Sequence, residues 1–170
     1  MNRSLFKSAG LFILAFCLSF SSFGQKKMAS PRDSVNGKIG KAHVAINYGS
    51  PSVKGRVIWG DLVPYNKVWR AGANEATTFT TDQPMQVEGK DLPAGTYGFF
   101  VIPGEKEWTI IFNKTAKQWG AYEYKEKEDL IRVIVKPIKA ANMQEHLVYK
   151  ITASGISLNW ENLEVPVSMK

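Results

Sequence analysis

Short runs in which apolar and polar residues alternate fill most of the chain after residue 40. Val44, Ile46 and Tyr48 alternate with polar or small neighbours, which is the pattern of a strand with one buried face. Turn residues such as Gly49-Ser50-Pro51 separate these runs. The pattern predicts about nine or ten short strands, which include residues 53–60, 77–81, 85–87, 96–102, 108–113, 130–136, 146–152, 156–160 and 164–167.

Short strands with closely spaced turns favour an all-β fold. Residues 41–170 are therefore predicted to form one antiparallel β-sandwich, jelly-roll-like, with short connecting loops and little helix. Gly98 lies in an apolar strand, where it indicates a bulge or a close approach of another backbone. A single helical turn is expected within residues 113–122, and residues 25–40 are predicted to be a flexible leader because they are polar and contain turn residues.

The first 24 residues have the features of a secretory signal peptide. Arg3 and Lys7 precede an apolar run from Ala9 to Phe20, and Ser22-Phe23-Gly24 supplies the small residues of a cleavage site. The apolar run is shorter than the roughly 20 residues of a membrane-spanning helix. We therefore expect a cleaved signal at 1–24 and a periplasmic or secreted protein that spans no membrane, with an uncleaved anchor as the alternative.

Cleavage changes the composition of the mature chain. Cys17 is the only cysteine, so the mature chain contains neither a disulfide nor a thiolate nucleophile. An exported chain without disulfides is more typical of a bacterial envelope than of a small eukaryotic scaffold. The formal net charge falls from +7 to about +5 when Arg3 and Lys7 leave. Because the charged run 123–129 alternates in sign, we expect no nucleic-acid partner.

Several motifs in the predicted domain resemble those of one protein family. They are Gly55-Arg56, Trp59-Gly60, Leu62-Val63-Pro64-Tyr65, Val68-Trp69-Arg70-Ala71-Gly72-Ala73-Asn74-Glu75-Ala76-Thr77, Ala94-Gly95-Thr96-Tyr97, Ile102-Pro103, Trp108-Thr109-Ile110-Ile111 and Gln118-Trp119-Gly120-Ala121-Tyr122. With them the chain resembles the exported bacterial family catalogued as domain of unknown function 2911. The resemblance covers nearly all of the mature chain. It implies a single envelope-located or secreted domain and brings no activity, cofactor or catalytic residue.

The densest group of polar and aromatic side chains lies between Val63 and Asp82. Within it, Arg70, Asn74 and Glu75 precede the predicted strand at residues 77–81. In a shared cleft, Glu75 can act as a general base or accept hydrogen bonds, while Arg70 holds an anionic or hydroxyl-rich ligand. The structural alternative is an Arg70–Glu75 ion pair, with Asn74 satisfying loop carbonyls.

Aromatic side chains give a second set of candidates. Exposed Trp and Tyr rings can stack on sugars or on peptide side chains, and Trp119 and Tyr122 lie in a polar, loop-like setting where binding and packing are both open. Trp108 and Trp160 lie on apolar strand faces and are predicted to be core residues. The ligand-binding candidates are Arg56, Trp59, Trp69, Arg70, Asn74, Glu75, Trp119 and Tyr122, and Glu75 and Arg70 are also the candidates for catalysis.

No metal site and no cofactor are expected. His43 and His146 lie far apart without metal-ligand spacing, and both are predicted to face solvent. The sequence contains neither a Gly-x-Ser-x-Gly motif nor a glycine-rich phosphate loop. A carboxylate-pair hydrolase needs a second acid near Glu75, and the sequence offers Asp61, Asp82 and Glu88 without distinguishing one by spacing.

Three functions remain open from the sequence. The first is a non-catalytic binding module for a glycan, a peptide or another envelope component, using the loop residues named above. The second is a hydrolase with Glu75 as acid or base and Arg70 as electrostatic stabiliser. The third is an interaction protein that uses sheet edges and needs no pocket. The sequence specifies neither the ligand nor the oligomeric state.

Overall fold

The computed structural model describes residues 29–170, which form ten β-strands. The strands are β1 (Arg32–Ile39), β2 (Ala42–Gly49), β3 (Thr77–Thr81), β4 (Met85–Val87), β5 (Lys90–Leu92), β6 (Gly95–Ile102), β7 (Trp108–Asn113), β8 (Asp129–Val135), β9 (Ile138–Thr152) and β10 (Gly155–Ser168). Within this range the helical content is one 3₁₀ turn, Glu126–Glu128, and no helix is both long and apolar enough to cross a membrane. The predicted signal peptide, Cys17 and the start of the predicted leader lie outside the described residues.

Six strands form one antiparallel sheet in the order β1-β2-β3-β6-β7-β8. Successive side chains of a strand point to opposite faces of the sheet. In β3, Thr77, Phe79 and Thr81 are therefore buried on the inner face, while Thr78 and Thr80 lie on the outer face. Strand β6 is buried on both faces over much of its length and lies between β3 and β7, which confirms the internal position predicted from its continuous apolar run.

Two antiparallel ribbons complete the fold, β9 with β10 and β4 with β5. The end of the chain joins them, because the backbone N–H of Gln86 donates to the Lys170 carbonyl at 2.8 Å and the Lys170 N–H donates back at 3.0 Å. Inner-face side chains of the six-stranded sheet and apolar side chains of both ribbons share one hydrophobic core. The predicted all-β antiparallel class is confirmed, and the jelly-roll topology stays a prediction.

Four tryptophans pack together in this core. Trp59 makes edge-to-face contacts with Trp69, Trp108 and Trp160, with ring centroids 5.8, 4.8 and 5.7 Å apart. Trp108 and Trp160 are each 1 % exposed, so their predicted core position is confirmed. The two ligand-binding candidates Trp59 and Trp69 belong to the same cluster, where aromatic packing stabilises the core. Their rings are directed to the other tryptophans instead of to an open surface.

The observed elements differ from the predicted ones in several places. β9 begins at Ile138 instead of residue 146, and the strands predicted at 156–160 and 164–167 form the single strand β10. Arg32–Ile39 forms β1, paired residue for residue with β2, where a flexible leader was expected. The helical turn expected within residues 113–122 is absent, and the 3₁₀ turn follows it at Glu126–Glu128. Residues 50–76 form a long irregular connection that contains isolated bridges, with no strand at residues 53–60. At these sites, pairing with strands that are distant in the sequence determines the secondary structure. The local alternation of apolar and polar residues therefore predicts it poorly.

Candidate functional site

The outer face of the six-stranded sheet is polar where β2, β3 and β6 meet. Asn47 lies opposite Thr78, and Thr80 lies opposite Thr96. The hydroxyl oxygens of Thr80 and Thr96 are 3.0 Å apart. Each of these residues alternates with buried neighbours, so its side chain faces away from the core. The result is a floor of hydroxyl and amide groups that can both donate and accept hydrogen bonds.

One wall of the site is the chain that follows β7 and crosses the sheet at Gly98. A Cβ atom on Gly98 would lie 2.7 Å from the carbonyl oxygen of Thr115, so a glycine is needed for this approach. The prediction that Gly98 marks a close approach of another backbone is therefore confirmed. Residues 116–119 continue from this crossing point and form the wall beside the polar floor.

We call residues 68–77 the central motif. Backbone hydrogen bonds attach the wall to the end of this motif. Glu75 and Trp119 form an isolated antiparallel bridge. Next to it, the Ala76 N–H donates to the Gln118 carbonyl and the Gly120 N–H donates to the Asn74 carbonyl, each at 3.0 Å. This pairing places the side chains of Glu75 and Trp119 at the same end of the site. Trp119 is 58 % exposed, so its ring is available for contact.

Floor and wall enclose an open groove of about 850 Å³, lined by Arg32, Asn47, Glu75, Ala76, Thr78, Thr80, Thr96, Ala116, Lys117, Gln118 and Trp119. A smaller extension of about 220 Å³ continues it between Arg32, Asn74, Glu75 and Trp119. We call the two together the Trp119 groove. The volume of the main groove is typical of small-ligand sites, which span roughly 300 to 1,000 Å³.

Opposite charges lie at the Trp119 end of the groove. The Arg32 guanidinium and the Glu75 carboxylate approach to 3.4 Å, and their side chains are 38 % and 62 % exposed. An ion pair this exposed stabilises a fold by about 0–1 kcal/mol, since water screens it. Both groups therefore remain free to exchange their weak mutual contact for hydrogen bonds to a ligand. Lys117 adds a further cation to the lining.

Gln118 gives the wall an unused acceptor. Its side-chain amide donates to the Thr115 carbonyl at 2.7 Å, which fixes the orientation of the amide group. Its Oε1 is buried and has no hydrogen-bond partner among the described residues. Leaving a buried acceptor without a donor costs about 1–3 kcal/mol.

Arg70 lies outside the groove and forms no ion pair with Glu75 among the described residues. The chain turns sharply between them, with positive φ angles of 53° at Ala71 and 64° at Asn74. Burial lowers the pKa of Arg70 below its usual value, and the nearby Tyr122 acts in the opposite direction. The predicted Arg70–Glu75 pair is thus replaced by the pair between Arg32 and Glu75.

The first part of the central motif ties its loop to the core. The Trp69 indole N–H donates to the Gly72 carbonyl at 3.2 Å. The Ala71 carbonyl accepts from the hydroxyls of Thr77 and Tyr149 at 2.9 and 2.8 Å. These contacts are structural. The end of the motif, at Asn74 and Glu75, is the part that reaches the groove.

The profile of a family described as "Protein of unknown function (DUF2911)" matches residues 30–169. The chain belongs to this family. The predicted resemblance is therefore confirmed over nearly all of the described residues. The comparisons with curated proteins and with solved structures found no match.

Two further candidates lie near the surface of this DUF2911 domain but do not line the groove. Arg56 donates from its guanidinium to the carbonyls of Val53, at 3.0 Å, and Ser52, so it stabilises its own loop. Tyr122 is 87 % exposed and follows the wall without contributing to the lining. Among the predicted candidates, Asn74, Glu75 and Trp119 are brought together.

Sequence reasoning missed most of the groove lining in the DUF2911 domain, namely Arg32, Asn47, Thr78, Thr80, Thr96, Lys117 and Gln118. Thr78 and Thr80 could have been found, because alternation in β3 already places them on the face opposite Phe79. No local pattern marks the others. Their proximity depends on sheet register and on the path of the wall.

A buried polar cluster secures the far end of the wall. The Asp129 carboxylate accepts from the Tyr124 hydroxyl at 2.5 Å, from Arg132 Nε at 2.6 Å and from Asn113 Nδ2 at 2.7 Å. Burial, together with the Asp129 carboxylate, raises the pKa of Tyr124 to about 12. We call these four residues the Asp129 network. It attaches the chain after the wall to β7 and β8.

Histidines and acidic side chains of the described residues are mostly placed apart from the groove. No three His, Cys, Asp or Glu side chains within residues 29–170 are placed to hold a metal ion together. His43 and His146 are both exposed, on β2 and β9. Glu75 is the single carboxylate among the described residues that line the Trp119 groove.

Proposed function

We propose that this DUF2911 protein is a non-catalytic binding module for a glycan, and that the Trp119 groove is its binding site. The observation that carries the proposal is the exposed Trp119 ring at the end of a floor of threonine hydroxyls. A sugar ring has an apolar C–H face and a rim of hydroxyls. The indole face of Trp119 can stack on the apolar face of the sugar. The hydroxyl, amide and carboxylate groups of the groove can form hydrogen bonds with the sugar hydroxyls.

The construction of the floor favours a glycan over a peptide. Extended peptides are commonly bound by adding a strand to a free sheet edge, where main-chain groups are unpaired. The floor of the Trp119 groove belongs to β2, β3 and β6, which are internal strands of the sheet. Their main-chain groups are occupied by neighbouring strands, so recognition depends on side-chain hydroxyls and amides.

The arrangement of acids favours binding over hydrolysis. Glycoside hydrolysis usually needs two carboxyl groups within roughly 5 to 10 Å. The cavity that shares Thr80 with the groove is lined by one acid, Asp82, at the opposite end of β3 from Glu75. An extended chain of that length spans roughly 20 Å. We therefore assign Glu75 the role of a hydrogen-bond acceptor for sugar hydroxyls.

We also propose that the protein acts in the periplasm or outside the cell, after cleavage behind residue 24. The charged start, short apolar run and small residues of the sequence support this proposal. Mass spectrometry of the protein recovered from fractionated cells tests it. An envelope or medium fraction whose chain begins at Gln25 supports export, and an intact N-terminus in the cytoplasm contradicts it.

A glycan array probed with the purified protein tests the binding function, followed by titration of the best ligand. Trp119→Ala should weaken binding at least about tenfold, equivalent to about 1.4 kcal/mol. Tyr122→Ala is the matched control, because it removes another exposed aromatic ring that does not line the groove. Ligand protection of Trp119 fluorescence from acrylamide gives a second readout, since Trp108 and Trp160 are 1 % exposed.

The results separate the proposal from its alternatives. Glycan binding that Trp119→Ala weakens and Tyr122→Ala leaves unchanged supports the Trp119 groove. Glycan binding that is insensitive to both variants assigns the function to another surface. Binding restricted to envelope peptides, with no glycan retained on the array, contradicts the glycan proposal.

A further inference from the structure

A second depression continues the Trp119 groove along the outer face of the sheet. It has a volume of about 530 Å³ and is lined in part by Asn36, Lys38, His43, Ala45, Thr80 and Asp82. Thr80 lines both the depression and the Trp119 groove. The two cavities therefore meet on the same strand instead of lying on separate surfaces.

Strand register explains why the two cavities lie next to each other. Asn36 lies opposite Ala45, Ala45 opposite Thr80, and Thr80 opposite Thr96. These four positions form one row across β1, β2, β3 and β6. The row consists of Asn, Ala and Thr side chains, so no large side chain separates the two cavities. The combined surface runs along β3 from Glu75 to Asp82, a span of roughly 20 Å.

The second depression offers polar groups of the same kind as the first. Lys38 and His43 are exposed and lie directly opposite each other on β1 and β2. The Asp82 carboxylate accepts from the His43 backbone N–H at 2.7 Å, which holds this carboxylate at the end of the surface. Donors and acceptors therefore continue beyond the space that one sugar stacked on Trp119 would occupy.

We propose, on the basis of the proposed glycan-binding function, that the ligand is a linear oligosaccharide chain that lies along β3 and occupies both cavities. The terminal side chains Glu75, Trp119, Lys38 and His43 are exposed at the two ends of this surface. The bound segment can therefore continue into solvent in both directions. The site recognises the interior of a glycan chain and does not depend on a chain end.

Ladders of linear β-1,4-linked glucose, xylose and N-acetylglucosamine oligomers test this inference by calorimetry, using disaccharide, tetrasaccharide and hexasaccharide. In the ladder that binds, the hexasaccharide should bind at least about tenfold more tightly than the disaccharide, because it reaches more hydrogen-bonding groups. Capping the reducing end of the hexasaccharide should leave its affinity unchanged.

Variants in the second depression locate the additional contacts. Lys38→Ala and His43→Ala should each weaken hexasaccharide binding by about fivefold and leave disaccharide binding unchanged. Lys136→Ala, which removes an exposed lysine from the end of β8, is the control. Both test residues are exposed, so folding should be preserved, and a thermal melt of each variant checks this.

The two proposals fail in different ways. Equal affinity for disaccharide and hexasaccharide, or a loss of binding on capping the reducing end, overturns the extended site while leaving a sugar site at Trp119. Failure of all three ladders and of the glycan array overturns the glycan-binding function and the extended site together.

Discussion

Glu75 and Trp119 lie opposite each other in an isolated antiparallel bridge, although 43 residues of chain separate them. The bridge joins the end of the central motif to the wall over the sheet, and it sets an acceptor beside an exposed aromatic ring. Neither residue has a partner in the core that explains its position. Their common location is the reason for assigning a function to this end of the fold.

Glu75→Gln and Arg70→Ala should separate a binding role from a structural one. Glu75→Gln should change the free energy of unfolding by less than about 1 kcal/mol, because its pair with Arg32 is exposed. Glycan affinity should still fall, since an amide oxygen is a weaker acceptor than a carboxylate. Arg70→Ala should leave glycan affinity unchanged, because Arg70 lies outside the groove. Urea unfolding and ligand titration measure both quantities, and equal affinity for Glu75→Gln and wild type would remove Glu75 from the site.

Gly98→Ala should displace the wall. The new Cβ would lie 2.7 Å from the Thr115 carbonyl oxygen, and such overpacking typically costs about 1–3 kcal/mol. We expect reduced stability, weaker glycan binding and greater quenching of Trp119 by acrylamide. Gly40→Ala is the control, because Gly40 has a φ of 59° with nothing within 4 Å of the added Cβ. It should cost about 1 kcal/mol through backbone strain without changing the quenching of Trp119. Unchanged quenching in Gly98→Ala would contradict the role of this glycine in positioning the wall.

Asp129→Asn should destabilise the protein by about 2 kcal/mol. The Asp129 side chain is 7 % exposed and accepts from Arg132 Nε at 2.6 Å, and hydrogen bonds to a charged group contribute about 1.5–3 kcal/mol each. The pair between Lys136 and Glu107 is the control, because its side chains are 77 % and 53 % exposed and lie 3.9 Å apart. Lys136→Ala should therefore cost less than about 1 kcal/mol. Similar losses in the two variants by urea unfolding would show that the Asp129 network stabilises the fold no more than an exposed ion pair does.

Stability should fall at alkaline pH. Burial raises the pKa of Tyr48 and of Tyr124 to about 12 and also raises the pKa of Tyr149. The unfolded chain releases these protons near pH 10, while the folded protein retains them. Their contribution is thus fully present below about pH 10 and is lost as the pH rises through about 12. Unfolding free energies measured from pH 8 to pH 11.5 should decrease above about pH 10.

Tyr48→Phe provides the check on this pH dependence. The variant loses the hydrogen bond to the Asp33 carboxylate at 3.0 Å, which should cost about 1 kcal/mol at neutral pH. It also lacks the Tyr48 hydroxyl, whose pKa is raised in the folded protein. Its free energy of unfolding should therefore decrease less above about pH 10 than that of the wild type. Parallel curves for the two proteins would assign the pH dependence to other groups.

The predicted strands agree with the observed ones where one face or both faces of the strand are buried over several residues. β3 and β7 have the predicted bounds, and the apolar run of β6 is an internal strand. Prediction failed at β1, whose sequence contains Asn36 and Gly37 and reads locally as a turn. Pairing with β2 along all eight residues outweighs those local preferences, because each pair adds hydrogen bonds and cross-strand contacts.

The central motif shows the same limit for the site. Its residue types predicted a loop with a binding or a structural role, and Glu75 lines the groove. The partner of Glu75 is nevertheless Arg32 instead of Arg70, and the motif tryptophan Trp69 is 9 % exposed in the core. The sequence shows the chemical type of each side chain in the motif. The direction in which Arg70 and Glu75 point depends on the turns at Ala71 and Asn74.

By itself, the sequence determined the all-β class, the family and the chemical character of the candidate residues, because periodicity and residue type are local properties. The tertiary structure decided which of these residues share a surface. Sheet register aligned Asn47, Thr78, Thr80 and Thr96, and the close approach at Gly98 placed the wall and Trp119 beside them. Such proximity depends on hydrogen bonds and packing between distant segments, which no local sequence pattern contains.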